Sequence, residues 1–210
     1  MNTELIELGN RYPDIHLSIP SVKQGYDVLY DTFRQGGKLL ICGNGGSASD
    51  SDHIVGELMK SFELKRPITN TLRQKLTQID AERGTYLADR LQSALPAISL
   101  TSHSALMTAI SNDVAGDMVF AQQVLGYGQA GDTLLCISTS GNSVNVINAL
   151  QVARAMNIKT IGLTGQSGGK MRDLCDVTIC VPYDRTLEIQ ERHLAIYHTL
   201  CIMLELEFFG

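Results

Sequence analysis

Five short apolar runs, rich in β-branched residues, recur at wide spacing along this chain: "KLLICG" (38–43), "PAISLTS" (96–102), "DTLLCIST" (132–139), "KTIGLTG" (159–165) and "DVTICVP" (176–182). The stretches between them carry helical spacing, as in "VNVINALQVARAMN" at 144–157. Strands this apolar, alternating with helices, predict a parallel sheet buried under helices on both faces. The expected fold is therefore α/β. The segment "SVKQGYDVLYDTFRQGG" (21–37) predicts a helix ended by glycines, with Pro13 and Pro20 breaking the chain before it. From Thr186 to Phe209 a long run without Gly or Pro predicts a C-terminal helix.

Residues 68–95 depart from simple alternation. They predict a helical hairpin or interrupted helix, capped by Asn70 or Thr71. Leu72, Leu76 and Ile79, then Leu87 and Leu91, recur at three- or four-residue intervals and suggest a buried face. The charges at Arg73, Lys75, Asp80, Arg83 and Arg90 would stay solvated, or one arginine would reach a phosphate. No linker or internal repeat divides the 210 residues, so one domain over 1–210 is expected.

Composition removes several function classes. A net charge of −5 argues against nonspecific nucleic-acid binding, which needs a basic face. No apolar run reaches the length of a membrane span, and the acidic opening "MNTELIELGNRYPDIHL" is unlike a signal peptide. Five cysteines without paired CxxC spacing suit reduced thiols in a cytoplasm.

Two turns stand where a strand hands over to a helix, the position at which open α/β sheets bind ligands. The first, "GNGGS" (43–47), lets the backbone approach an anion at a helix N-terminus, yet lacks the lysine of a nucleotide loop. A tight turn with Ser47 as helix cap would read the same way. The second, "CISTSGNSVNV" (136–146), sets Ser138, Thr139, Ser140 and Ser143 around Gly141. Four hydroxyls exceed what one helix cap requires, which favours a phosphate cradle.

His53 and Glu57 share one helical face at i and i+4, and Gln190 and His198 lie eight residues apart in the C-terminal helix. Taken singly, the first pair reads as a solvated surface pair and His198 as a hydrogen-bonded core residue. Together, two imidazoles, a carboxylate and an amide have the chemistry of a catalytic metal site.

The blocks "CGNGGSASDSDHIVGEL", "ISNDVAGD", "ISTSGNSVNVI", "LTGQSGGKM" and "IQERHLAIYH" resemble, in this order, the motifs of the sugar isomerase (SIS) domain family. Within it they are most similar to the phosphoheptose isomerase family. The resemblance implies a three-layer α/β/α, flavodoxin-like SIS domain in which 68–95 is an insertion. By position it implies substrate contacts from Asn44, Gly45, Gly46, Ser47, Asp50, Asn112 and Asp113, and a phosphate loop of Ser138, Thr139, Ser140 and Ser143. It also implies one Zn2+ per subunit on His53, Glu57, Gln190 and His198, with Glu57 and His198 as the acid–base pair and Glu57 and Gln190 also touching substrate.

The implied protein is a cytoplasmic homotetramer with sites shared between subunits. The implied reaction interconverts sedoheptulose 7-phosphate and D-glycero-D-manno-heptose 7-phosphate through an enediol, the first step towards activated heptose for lipopolysaccharide, capsule or other glycans. Two alternatives are an isomerase of another sugar phosphate and a non-catalytic regulator related to replication-initiator-associating proteins. The latter share the serine loop but lack the equivalents of Glu57 and His198, both of which are present here.

Overall fold

Side chains on both faces of the central strands are apolar: Leu39 and Ile41 pack into one core, Leu40 and Cys42 into another. Such strands are stable only between two layers of helix. A computed structural model describing residues 3–210 has this arrangement. Strands β1 (Leu39–Gly43), β2 (Ala97–Ser99), β3 (Thr133–Ile137), β4 (Lys159–Thr164) and β5 (Val177–Cys180) form one all-parallel sheet in the order β2-β1-β3-β4-β5. All five expected strands are present, and the order is that of the flavodoxin-like family of doubly wound folds.

One face is covered by α1 (Thr3–Arg11), α2 (Ile19–Arg34), α3 (Gly46–Met59) and α10 (Thr186–Phe209), whose buried apolar residues join one cluster. The other carries α6 (Ser104–Asp113), α7 (Val119–Tyr127), α8 (Val144–Ala155) and the single turn α9 (Met171–Leu174). The C-terminal helix spans the residues expected. Helix α2 begins earlier than expected because Pro20 sits in its first turn, where the missing N–H costs nothing; Pro13 likewise opens a short 3-10 turn, Pro13–Ser18.

Residues 68–95 do contain a helical hairpin, α4 (Asn70–Ile79) and α5 (Ala81–Ala88). Its cap is one residue before those expected: the Thr69 hydroxyl accepts from the Leu72 N–H at 3.3 Å. The expected buried face is also corrected. Helix α4 buries no residue, and Leu72, Ile79 and Leu91 are exposed, Ile79 at 84%. The two helices pack on each other more than on the body, so their spacing is amphipathic but the apolar side stays largely uncovered. The base of the hairpin is closed by an antiparallel bridge between Pro67 and Gln92.

Candidate active site

The chain leaves β1 towards one sheet edge and leaves β3 towards the other, so a crevice opens between the carboxyl ends of these two neighbours. The two turns singled out in the sequence meet there. Asn44, Gly45, Gly46 and Ser47 face Ser138, Thr139 and Ser143 across a cavity of about 260 Å³, with Thr186 and Gln190 from the start of α10 closing its side. Gly45 adopts φ +58°, which places it as the N-terminal boundary of α3; Ser47 is buried and is not the cap. A side chain at Gly46 would meet the Gln190 amide, which would have to swing aside. Ser143 stands at the N-terminus of α8, and its hydroxyl lies 3.0 Å from that of Ser138. Two helix N-termini thus face one hydroxyl-lined cavity, a setting suited to a phosphate.

The Asn44 side chain is engaged elsewhere. Its amide donates to Asn145 Oδ1 at 2.9 Å and its oxygen accepts from Asn145 Nδ2 at 3.0 Å. Asn145 also accepts from the Val146 N–H at 3.0 Å, so the pair fastens the first turn to the first residues of α8. Sequence reasoning missed Asn145, although it lies within the "SGNSVNV" block. Ser140 is exposed and accepts from the Asn142 N–H at 3.2 Å; it shapes the turn and does not line the cavity. Asn112 and Asp113, at the end of α6, bond each other at 2.8 Å, are exposed, and are absent from the cavity wall. No residue of 68–95 lines the cavity either.

Two turns further along α3 and α10, the second group assembles. His53 Nε2 lies 3.0 Å from Glu57 Oε1 and 3.5 Å from His198 Nε2. Burial and the neighbouring His53 push the His198 imidazole below its ordinary range, against the opposing pull of Glu57, so it is neutral near pH 7. Glu57 Oε2 is buried without a hydrogen-bond partner. Behind His53, the Tyr197 hydroxyl lies 3.0 Å from Nδ1 and 3.3 Å from Asp50 Oδ1. Burial lifts the Asp50 carboxyl above its ordinary value, with Tyr197 and His53 opposing.

Gln190 makes no hydrogen bond to this group; its amide lies over Gly46 instead. Among the described residues no three His, Cys, Asp or Glu side chains form a ready metal cage. Tyr197 was another residue missed by sequence reasoning.

The last turn of α3, which carries Glu57, is held by a buried ion pair. Arg66 donates to Glu205 Oε1 at 2.6 Å, to the Leu58 carbonyl at 2.8 Å and to the Glu57 carbonyl at 3.0 Å. Glu205 also accepts from the N–H groups of Phe62, Glu63 and Leu64 at 2.8–3.1 Å. Burial pushes its carboxyl up, but these backbone donors and Arg66 outweigh it and hold the group below its ordinary value.

Known proteins match this chain over most of its length. The model of the SIS domain family matches residues 81–165. The phosphoheptose isomerase of Aliarcobacter butzleri is 43% identical over 180 residues, covering 86% of this chain and 82% of the relative. That of Akkermansia muciniphila is 33% identical over 210 residues, 100% and 97% of the two chains. Among solved structures, the phosphoheptose isomerase of Neisseria gonorrhoeae superposes with a TM-score of 0.72 at 33% identity, covering 96% of this chain and 93% of that one. The enzyme of Francisella tularensis gives the same TM-score at 31% identity, covering 97% and 91%. With relatives this similar matched over most of their length, the chain belongs to the phosphoheptose isomerase family.

Proposed function

We propose that this chain converts sedoheptulose 7-phosphate to D-glycero-D-manno-heptose 7-phosphate. The observation that carries the reading is the separation between the two halves of the site. His53 at the acid–base group stands seven helical steps after Gly46 at the phosphate cavity, about 10 Å of α3. An open seven-carbon chain has six C–C bonds of about 1.5 Å, which in zigzag with a terminal phosphate span about 10 Å. The cavity would hold the phosphate through Ser47, Ser138, Thr139, Ser143 and helix N–H groups, leaving C1 and C2 beside Glu57.

The Glu57 carboxylate takes the proton from the carbon next to the carbonyl and returns it to the other carbon, with an enediol between. Neutral His198 takes the proton from one oxygen and returns it to the other. The donors near His53 suit zinc: imidazole nitrogens 3.5 Å apart and a carboxylate oxygen 3.0 Å away bracket the spacing of about 3.3 Å between tetrahedral zinc ligands. The unpartnered Glu57 Oε2 is a further oxygen suited to a cation. His53, Glu57, His198 and Gln190 would hold one Zn2+ per subunit. When bound, it would polarise the substrate oxygens.

The reading extends to a cytoplasmic homotetramer with shared sites, acting as one SIS domain in the first step towards activated heptose for lipopolysaccharide or related glycans. As substrate contacts, Asn112 and Asp113 would serve a neighbouring subunit's cavity, because they stand away from their own. No helix among the described residues is long and apolar enough to cross a membrane. A coupled assay across C5, C6 and C7 ketose phosphates tests the proposal. Turnover should be greatest with sedoheptulose 7-phosphate. Better turnover of a shorter sugar, or none of any, would overturn it.

A further inference from the structure

Tyr197 is 1% exposed, and its hydroxyl sits between two polar groups that have few other choices. Asp50 Oδ1 takes a hydrogen bond from Tyr197, and Asp50 Oδ2 is buried with no partner. His53 Nδ1 has the same hydroxyl as its partner, at 3.0 Å. A tyrosine hydroxyl carries one proton, so it can donate to only one of these neighbours.

A carboxylate is acceptor-only and is the stronger acceptor. Withholding the proton from Asp50 would leave a buried carboxylate with no donor, a costly state. The proton therefore goes to Asp50, and the tyrosine oxygen accepts from His53 Nδ1–H. We propose that Tyr197 is a positioning residue for His53: with Asp50 behind it, it fixes the imidazole as the Nδ1–H tautomer and turns the bare Nε2 towards Glu57 and His198.

The consequence is specific to this cluster. A bare Nε2 cannot donate to Glu57 Oε1, yet the two atoms are 3.0 Å apart. His198 Nε2 lies 3.5 Å from the same lone pair, and the carboxylate oxygen is left facing another acceptor. Lone pairs that converge in this way are relieved by a positive charge between them, a proton on Nε2 or a metal ion. The Asp50–Tyr197–His53 chain thus prepares a ligand, in the manner of outer carboxylate partners that orient metal-bound histidines. The inference deepens the zinc reading above and rests on it for its functional meaning, but the tautomer is a property of the protein alone.

The test measures both separately. In the full chain labelled with nitrogen-15 histidine and freed of metal, long-range ring correlations report which His53 nitrogen is protonated. The wild type should show Nδ1–H. Asp50→Ala releases the Tyr197 proton to Nδ1 and should flip His53 to Nε2–H, whereas Asp50→Asn, which still offers an acceptor oxygen, should not. Tyr197→Phe keeps the packed ring and should weaken zinc binding about 10–100-fold in competition with a chromophoric chelator. An Nε2–H wild type, or a tautomer unmoved in Asp50→Ala, would overturn the proposal. If the wild type binds no zinc, the metal reading fails while the tautomer result still decides the role of Tyr197.

Discussion

Replacing Arg66 with Met keeps most of the side-chain volume and removes every hydrogen bond the guanidinium makes. Two losses follow from the geometry. The charge-assisted bond to Glu205, 2.6 Å long, is worth about 1.5–3 kcal/mol. The Glu57 carbonyl, at the end of α3, loses its guanidinium donor, for about 1–3 kcal/mol more. Glu205 keeps three backbone donors, so it is not stranded. The sum, about 2.5–6 kcal/mol, brackets the usual cost of breaking a buried pair from one side. For a chain of this size that is a fall in Tm of about 5–24 °C. Glu205→Leu should be worse, because it strands three N–H groups and a buried guanidinium together. Circular dichroism melts of both variants at one protein concentration check the argument. A loss under about 1 kcal/mol for Arg66→Met, or the reverse order of the two variants, would refute it.

Glu57→Gln keeps the size of the side chain but removes its basicity, and should cost at least about 10²-fold in kcat; near wild-type turnover at unchanged metal content would remove Glu57 from the mechanism. With the phosphate in the proposed cavity, Ser143→Ala would remove a hydrogen bond to a charged group, worth about 1.5–3 kcal/mol, so KM should rise about 10-fold or more with kcat little changed. An unchanged KM would place the phosphate elsewhere. Stability should fall on acidification. Glu205 is held below its ordinary value, so its contribution is complete above about pH 4.3 and is lost as the pH drops through the lower folded value. Urea titrations of wild type and Glu205→Gln should converge there; parallel curves would deny the linkage. Replacing residues 70–90 with a short Gly-Ser link should leave the far-ultraviolet signature of the sheet and its melting cooperativity intact, and collapse of the fold would contradict the independence of the hairpin.

Much of this architecture was legible because sheet burial leaves a one-dimensional trace. Strands such as Leu39–Gly43 are apolar on both faces, and that alone requires two helical layers. The two ligand turns were legible for a similar reason, since glycines and hydroxyls at a strand end have local causes. The hairpin shows the limit. Spacing of Leu72, Leu76 and Ile79 reports that a face is apolar, but not whether anything covers it. Tyr197, Asn145 and the Arg66–Glu205 pair were hidden because their partners are 101–147 residues away in sequence. Nothing local distinguishes Tyr197 from the apolar stretch around it. Gln190 was legible as a polar residue of the right helix, yet the closeness of Gly46 to its amide depends on how α3 and α10 cross.

The Pro67–Gln92 bridge has a meaning for how such a chain can change over time. A segment whose two ends are already paired leaves the body and rejoins it at one point. Its length is then decoupled from the spacing of the strands on either side. Substitution, lengthening or loss between these residues demands no new solution from the sheet, because Arg66 and Leu95 lock the stem against α3 whatever the segment holds. The position works as a socket: different attachments can be seated there while helix α3 beneath stays fixed.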